Sequence, residues 1–243
     1  MEWSEDGLVL AARPHGESAV IVSLLTLGHG RHGGLVRGGG SSRMRGTYQP
    51  GNLLRATWRG RLSEHLGNFS CELLRGYAGP LLDDPFRLGL LGALCAVAET
   101  ALPEREPHPA VFTRTLDLIV ALGAGEGPPG GVGHLADYVR WELTLLGDLG
   151  YGLDLTACAL TGETKELAFV SPKSGRAVTA AAAGPWRDRL FALPAFLTEP
   201  AEPADAAAIS QGLELTGWFL ERYVYAPQGR GVPAARLRLI EGF

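Results

Sequence analysis

A change of periodicity near residue 76 constrains this chain more than any other feature. Before it, polar and apolar residues alternate in short runs separated by glycine-containing turns, which is the pattern of β-strands. After it, apolar residues recur at helical spacing. The sequence therefore predicts an α+β chain in which strands precede helices. The predicted strands are 7–13, 17–26, 31–36, 52–58 and 68–74.

Turn chemistry indicates how the five strands connect. The segments 14–16 and 27–30 are short, contain glycine and predict two hairpins. The link at 37–46 is longer and rich in glycine and arginine, so we expect a flexible backbone that carries arginines at the barrel rim. Five antiparallel strands in about 75 residues with one irregular link predict an OB-fold β-barrel, with an SH3-like barrel as the nearest alternative.

Proline and glycine divide the rest of the chain into helices. Asp84 is a predicted N-cap and Pro85 a first helical residue. The third predicted helix leaves little polar surface, which indicates the central helix of a bundle. The predicted helices are 86–101, 109–122, 133–148 and 205–225, with a glycine- and proline-rich loop at 123–131.

These elements predict two domains. We expect an OB-fold nucleic-acid-binding domain at 1–78 and an α-helical domain at 79–243. Short extended pieces near a predicted hairpin place an irregular insertion at about 155–182 in the helical domain.

The composition predicts a cytoplasmic protein with reduced thiols. Met1 is followed by an acidic, polar run, which is unlike a secretory leader. The longest apolar run, at 88–97, is half of the roughly 20 residues that a spanning helix needs, so we expect no membrane contact. The three cysteines are widely spaced and do not suggest a disulfide framework.

Charge is distributed unevenly along the chain. Residues 1–80 contain nine arginines and six acidic residues, whereas the whole chain has a net charge of −4. Seven arginines and no acidic residue lie between His29 and Arg61. Arginines neutralise phosphates and glycines allow close backbone approach, so this stretch predicts a DNA-binding surface, although a solvated basic face has the same charge pattern. The candidate DNA-binding residues are Arg31, Arg37, Arg43, Arg45, Arg55, Arg59, Arg61 and Tyr48.

Two aromatic residues flank these arginines. Tyr48 and Trp58 could stack on bases, which is the sequence-tolerant part of single-strand binding by OB folds. Either ring could instead belong to the barrel core.

Catalytic motifs are not apparent. The sequence has no Gly-x-Ser-x-Gly elbow, no phosphate-binding Gly-x-x-x-x-Gly-Lys-Ser/Thr and no His-Glu-x-x-His, so we expect a non-enzymatic protein without a cofactor. His29 and His32 lack a third ligand nearby, so we expect no metal there.

Four segments spread along the chain carry recognisable sequence motifs. The first predicted hairpin contains Asp6-Gly7-Leu8-Val9-Leu10 and then Arg13-Pro14-His15-Gly16-Glu17-Ser18, and the third predicted strand lies in the segment 30–38. Gln49-Pro50-Gly51 leads into the fourth predicted strand, and the most recognisable segment is 141–155, followed by Cys158. With these segments, the whole chain resembles the RecO family of recombination mediators.

The resemblance breaks down at the insertion. Many members of the family carry two Cys-x-x-Cys pairs in a zinc-ribbon-like insertion, whereas Cys158 is the single cysteine here. One thiolate cannot complete the tetrahedral shell of a structural zinc. We therefore expect a small degenerate zinc-ribbon-like insertion without metal, in which Cys158 is a small buried hydrophobic residue.

The resemblance implies recombinational DNA repair. It implies binding of single- and double-stranded DNA and annealing of complementary strands in the nucleoid. It also implies partnership with RecR, with the C-terminal tail of single-stranded-DNA-binding protein and indirectly with RecA, and RecF is a further candidate partner. A protein-binding adaptor with weak DNA affinity, or a nucleic-acid-modifying enzyme that uses an OB domain, are the alternative functions.

The partner surface on the helical domain is the least defined part of this prediction. An acidic, hydrophobic tail needs an apolar groove with a basic rim. Arg114 and Arg140 are the candidate partner-binding residues, and solvated helix faces are the alternative interpretation.

Overall fold

Five strands form the first part of the chain in this computed structural model, which describes residues 1–62, 64–124, 131–199 and 202–243. All five predicted strands are confirmed. The first begins five residues earlier than predicted, because residues 2–6, three of which are acidic, pair with the fourth strand instead of forming a free end. The strands are β1 Glu2–His15, β2 Ala19–Thr26, β3 Gly30–Val36, β4 Leu53–Arg59 and β5 Asn68–Arg75.

The strands close into a barrel in the order β1-β2-β3-β5-β4. The length of β1 allows it to pair with β4 through its first half and with β2 through its second half. The remaining seam, between β3 and β5, has a single parallel pair, Leu35 with Asn68. One backbone hydrogen bond, from Leu35 N to Gly67 O at 3.1 Å, supports it. The barrel is therefore most open at the β3–β5 seam.

Alternating inward-facing residues fill the barrel. Val9, Val22, Leu24 and Leu54 are buried together with Trp58, whose indole N–H donates to Leu66 O at 2.9 Å. This bond satisfies the polar atom of an otherwise apolar ring.

Close packing also explains a glycine in β3. A Cβ at Gly34 would lie 2.2 Å from the ring of Phe69. We infer that only glycine lets β3 approach β5 at this point.

Hydrogen bonds anchor the link between β3 and β4, and its flexibility stays a prediction. Asn52, which is buried, donates from Nδ2 to Gly46 O at 2.8 Å and to Thr47 O at 3.2 Å. Its Oδ1 accepts from Ala78 N at 3.2 Å. This side chain therefore ties the link to the segment that follows the barrel.

The barrel belongs to the first of two compact units, which comprises Met1–Glu126 and Pro233–Phe243. Asp84 caps the first helix of this unit by accepting from Arg87 N at 3.0 Å, as predicted, and Pro85 is its first residue. The sequence did not predict the last helix, which packs against the first. The helices of this unit are α1 Pro85–Ala101, α2 Pro109–Ala124 and the final helix α6 Ala234–Glu241.

The second unit, Gly127–Val232, contains the predicted central helix. Tyr138 and Trp141 are buried in it with ring centroids 5.6 Å apart, which confirms a core position. The helix predicted at 205–225 is α-helical only to Phe219 and continues as a π-helix, Leu220–Tyr225. The helices of this unit are α3 Val132–Asp148, α4 Ala180–Ala183 and α5 Ala206–Phe219.

The insertion forms a small three-stranded sheet. Its strands are β6 Leu167–Val170, β7 Ala177–Thr179 and β8 Phe191–Ala192, in the order β7-β6-β8. The sequence indicated a hairpin here but not β8, which is only two residues long.

Two sequence predictions about organisation are not tested by this fold. The boundary between domains at residue 78 concerns autonomous folding, and it stays a prediction, since the first unit groups α1, α2 and α6 with the barrel. The loop predicted at 123–131 lies mostly outside the described residues, which exclude 125–130. Within the described part of the chain, none of the helices combines the length and apolar character needed to cross a bilayer.

Candidate nucleic-acid interface

A groove follows the open seam between β3 and β5. It consists of two depressions of about 670 and 620 Å³ that share four lining residues, Leu35, Arg37, Arg59 and Asn68. Arg61 and His65, from the β4–β5 link, line the larger of the two. We call this region the seam groove, defined by Leu35, Arg37, Arg59, Arg61, His65 and Asn68.

Strand geometry brings three arginines to the seam groove. Arg37 follows the last residue of β3, Arg59 ends β4, and Arg61 is the second residue of the link to β5. Arg37 and Arg61 are exposed, and neither has an ion pair or a side-chain hydrogen bond with any residue that the structure describes. The seam groove therefore presents two unneutralised guanidinium groups.

One acidic residue enters the seam groove. Glu2 is the cross-strand neighbour of Arg59 and accepts a hydrogen bond from it at 2.8 Å. This hydrogen bond lowers the pKa of Glu2 and raises the pKa of Arg59. Three arginines against one carboxylate leave the seam groove with net positive charge.

Arg55 lies on the face shared by β1 and β4, outside the seam groove. Its cross-strand neighbour is Asp6, with which it forms an ion pair and a hydrogen bond. The hydrogen bond to Asp6 raises the pKa of Arg55. This predicted DNA-binding residue is therefore neutralised by β1.

Arg31 points to the end of α1. Its Nε donates to Leu102 O at 2.8 Å, and its guanidinium lies 3.8 Å from Glu99 and 3.5 Å from Glu104. Only 17% of the side chain is exposed. The structure gives Arg31 a role in holding the barrel to α1 and does not place it in the seam groove.

Tyr48 and Trp58 are both core residues, which is the alternative that the sequence left open. Tyr48 is 4% exposed and Trp58 is 1% exposed. Burial raises the pKa of Tyr48 to about 12. The ring of Tyr48 packs against the barrel interior, and its place in a DNA-binding site stays a prediction.

Arg43 and Arg45 are exposed on the β3–β4 link. Arg45 lines a separate depression of about 520 Å³ together with Gly16 and Glu17 from the β1–β2 turn. Neither arginine lines the seam groove. The arginines that are adjacent in sequence thus divide among different surfaces.

The two predicted partner-binding residues differ in environment. Arg114 is exposed on α2. Arg140, on α3, pairs with Asp137 at 2.9 Å, donates to Phe196 O at 3.2 Å and lies over the Phe196 ring. Arg114 belongs to the first compact unit and Arg140 to the second, so the two residues do not form one local site within a single unit.

Comparison with known proteins gives a consistent result over the whole chain. The family described as Recombination protein O N terminal matches residues 1–77, and the family described as Recombination protein O C terminal matches residues 82–230. This chain belongs to the RecO family. The second match alone covers more than half of its residues.

Full-length relatives support the same assignment. Each of three is named DNA repair protein RecO. The protein of Rhodospirillum rubrum is 58% identical over 99% of this chain and 96% of its own length. That of Rhodospirillum centenum is 50% identical over 100% and 95%, and that of Gluconacetobacter diazotrophicus is 49% identical over 99% and 94%.

In the insertion of this RecO family member, hydrogen-bond donors surround the sulfur of Cys158. The residue is 1% exposed and packs with Val178 and Ala183, as expected for a small core residue. Burial opposes ionisation, but hydrogen bonds from Thr161, Thr179 and Leu160 outweigh it and lower the pKa of Cys158 to about 6. Within the described residues, no three His, Cys, Asp or Glu side chains are grouped closely enough to hold a metal ion.

Sequence reasoning missed His65 and Asn68 of the seam groove and the acidic residue, Glu2, that enters it. His65 and Asn68 had no charge signal, and Glu2 was considered only as part of an acidic N-terminal run. A pairing of β1 with β4 would have located Glu2 opposite Arg59. The sequence prediction placed the start of β1 five residues too late, so it left out most of the segment of β1 that pairs with β4.

Proposed function

We propose that this protein is a recombinational DNA repair mediator that holds single-stranded DNA in the seam groove. The observation that carries the proposal is the pair of exposed arginines, Arg37 and Arg61, at the open β3–β5 seam, which have no ion pair with any of the described residues. Guanidinium groups that are not neutralised by the protein are available to phosphates, and phosphate contacts dominate the affinity of DNA-binding proteins. Membership of the RecO family supports the same function.

The barrel is of OB type in this proposal. The closed strand order and the parallel contact between β3 and β5 support that assignment. The family matches end at residue 77 and resume at residue 82, which supports a nucleic-acid-binding domain at 1–78 and a helical domain at 79–243. The β6–β8 sheet, with Cys158 beside it, would then be a degenerate zinc-ribbon-like insertion without metal.

The seam groove favours electrostatic contact over base stacking. Among the residues that the structure describes, its aromatic neighbours Tyr48 and Phe69 are buried. Leu66 is 40% exposed and adds apolar surface for bases to cover. Binding should therefore depend strongly on salt and little on base sequence.

Annealing follows from charge neutralisation. Two complementary strands repel each other through their phosphates, and a basic protein surface lowers this repulsion so that bases can pair. No covalent bond is made or broken, so the protein acts in this proposal without enzymatic activity or a cofactor.

The family also suggests the partners of this activity. We propose that the protein binds double-stranded as well as single-stranded DNA in the cytoplasm, at the nucleoid. With RecR, it would help RecA load onto DNA coated by single-stranded-DNA-binding protein, whose C-terminal tail the helical domain would bind, and RecF is a further candidate partner. Exposed Arg114 is the better candidate for tail binding, because Arg140 already contacts Asp137 and Phe196.

Binding of a fluorescent single-stranded oligonucleotide tests the proposal. We expect the variant Arg37→Ala, Arg61→Ala to bind at least about tenfold more weakly than the wild type, because two phosphate contacts are lost. The matched control is Arg222→Ala, Arg230→Ala, which removes two exposed arginines of the second unit and changes the net charge equally.

The outcomes separate the site from general charge. Loss of affinity in the groove variant but not in the control supports the seam groove. Equal losses in both variants would mean that net charge and not the groove determines binding. Wild-type protein that neither binds nor anneals DNA at low salt would contradict the proposed function itself.

A further inference from the structure

A second basic surface lies on the β3–β4 link. Arg43 and Arg45 are exposed there and have no ion pair with any residue in the described part of the chain. Arg45 lines a depression of about 520 Å³ with Gly16, Gly40 and Gln49. We call this region the link surface, defined by Arg43, Arg45, Gly16, Gly40 and Gln49.

Backbone hydrogen bonds support the link surface. Gly40 N donates to Ser18 O at 2.9 Å, which holds the link against the β1–β2 turn. Met44 N and Arg45 N both donate to Ser41 O, at 3.0 and 3.2 Å. A defined backbone reduces the entropy cost of ordering the two arginines on a ligand.

Neighbouring side chains of the link face different depressions. Met44 and Arg37 line the smaller of the two depressions that form the seam groove, whereas Arg45 lines the depression of the link surface. The buried ring of Tyr48 borders both. The two basic surfaces are therefore close to each other on the barrel but are not one continuous track of lining residues.

The chemistry of the link surface fits a phosphate backbone. Its glycines allow a strand to approach the protein main chain, and its two guanidinium groups provide bidentate donors for phosphate oxygens. Glu17 is the one acidic residue that lines the depression. No side chain on the described part of the lining offers an exposed aromatic face for a base.

We propose that the link surface holds a second DNA strand while the seam groove holds the first. This inference rests on the proposed function and specifies how annealing occurs. The seam groove neutralises only the phosphates that it contacts, so the remaining phosphates of the first strand still repel a second strand. A neighbouring basic surface brings both strands within pairing distance on the same molecule and raises their effective concentration.

A ternary complex provides the test. The wild-type protein is mixed with two non-complementary 20-mers that carry a donor and an acceptor fluorophore, and energy transfer reports that both are bound together. Affinity for one labelled 20-mer and the annealing rate of a complementary pair are measured with the same protein. The variants are Arg43→Ala, Arg45→Ala and Arg43→Lys, Arg45→Lys.

We expect the alanine variant to lose much less affinity for a single 20-mer than the Arg37→Ala, Arg61→Ala variant, because the seam groove is unchanged. Its energy transfer between two strands should be lost, and its annealing rate should fall at least about tenfold. The lysine variant should restore most of both, since lysine retains the charge for phosphate contact. Within the described part of the chain these arginines have no ion pair and no side-chain hydrogen bond, so thermal unfolding of both variants should match the wild type.

Two results would overturn the inference while leaving the proposed function intact. If the alanine variant binds a single 20-mer as weakly as the Arg37→Ala, Arg61→Ala variant, the two surfaces form one binding track. If the alanine variant retains wild-type energy transfer and annealing, the second strand binds elsewhere. Failure of the wild-type protein to bind the first strand would instead contradict the proposed function.

Discussion

The seam groove and the β1–β4 face both contain arginines from the segment 29–61. Of these two regions, only the seam groove presents arginines without an ion-pair partner among the described residues. At the seam, Arg37 and Arg61 are exposed and unpaired among the described residues. On the β1–β4 face, β1 places Asp6 opposite Arg55. The difference shows that strand register, and not the density of arginines in the sequence, determines where positive charge is available.

Arg59 belongs to both regions. It lines the seam groove and is paired with Glu2 of β1. Both side chains are largely exposed, so solvent screens the pair and a phosphate could replace Glu2 as the partner of Arg59. The boundary between the two regions is therefore an exchangeable ion pair.

Charge reversal at the seam should produce the largest effect. We expect Arg37→Glu, Arg61→Glu to weaken single-strand binding at least about 100-fold, because two attractions become repulsions. Fluorescence anisotropy with a labelled oligonucleotide measures the affinity.

The matched control exchanges charges on the β1–β4 face. The variant Asp6→Arg, Arg55→Asp retains an opposite-charge cross-strand pair at an unchanged net charge. Its affinity should stay within about twofold of the wild type. A comparable loss in this control would remove the distinction between the two regions.

Arg31 should affect stability instead of affinity. Arg31→Ala removes the hydrogen bond to Leu102 O and leaves Glu99 with less compensation. We expect a loss of about 1–3 kcal/mol in the free energy of unfolding. Denaturant titration gives this value, and DNA affinity should change less than about twofold. If Arg31→Ala weakens DNA binding without lowering stability, Arg31 belongs to the DNA-binding surface.

Much of the barrel could be predicted because its strands have local signals. Alternating residues and short glycine turns located all five strands, and Asp84-Pro85 located the start of α1. The helix α6 is only eight residues long and packs against α1, so a local pattern could not reveal it. β8 is too short to show a period.

Removal of Glu2 should strengthen binding. Glu2→Gln frees Arg59 without changing the length of the side chain, and we expect about two- to threefold tighter binding of single-stranded DNA. Asp6→Asn is the matched control, because it breaks the equivalent pair with Arg55 outside the seam groove. A gain of the same size in both variants would indicate a general effect of charge.

His32 gives the smallest expected effect, on stability alone. Burial lowers the pKa of His32 below its usual 6.5, despite the opposing effect of the hydrogen bond to Gly33 O. The unfolded chain therefore takes up a proton first as the pH falls. Stability should be fully present above pH 6.5 and decrease as the pH falls through the lower, folded-state pKa.

A variant isolates this contribution. His32→Phe replaces the imidazole by a ring that does not titrate, within the cluster of Trp3, Trp58 and Phe69. Its free energy of unfolding should change less between pH 7 and pH 5 than that of the wild type. An unchanged pH dependence would mean that another group is responsible.

The candidate site was less predictable than the fold because it depends on non-local neighbours. The sequence correctly gathered the arginines near the barrel, but it could not show that Asp6 faces Arg55 or that Leu102 faces Arg31. It also could not decide whether Tyr48 is buried, because tyrosine is common in both positions. Tertiary contacts, and not local patterns, make these distinctions.

The salt dependence of single-strand binding tests the central claim most directly. The logarithm of the association constant is measured against the logarithm of the salt concentration for the wild type and for Arg37→Ala, Arg61→Ala. Each phosphate contact contributes about 0.7 to the slope for single strands, so the variant should show a slope smaller by about 1.4. An unchanged slope would show that the seam groove does not contact the DNA backbone.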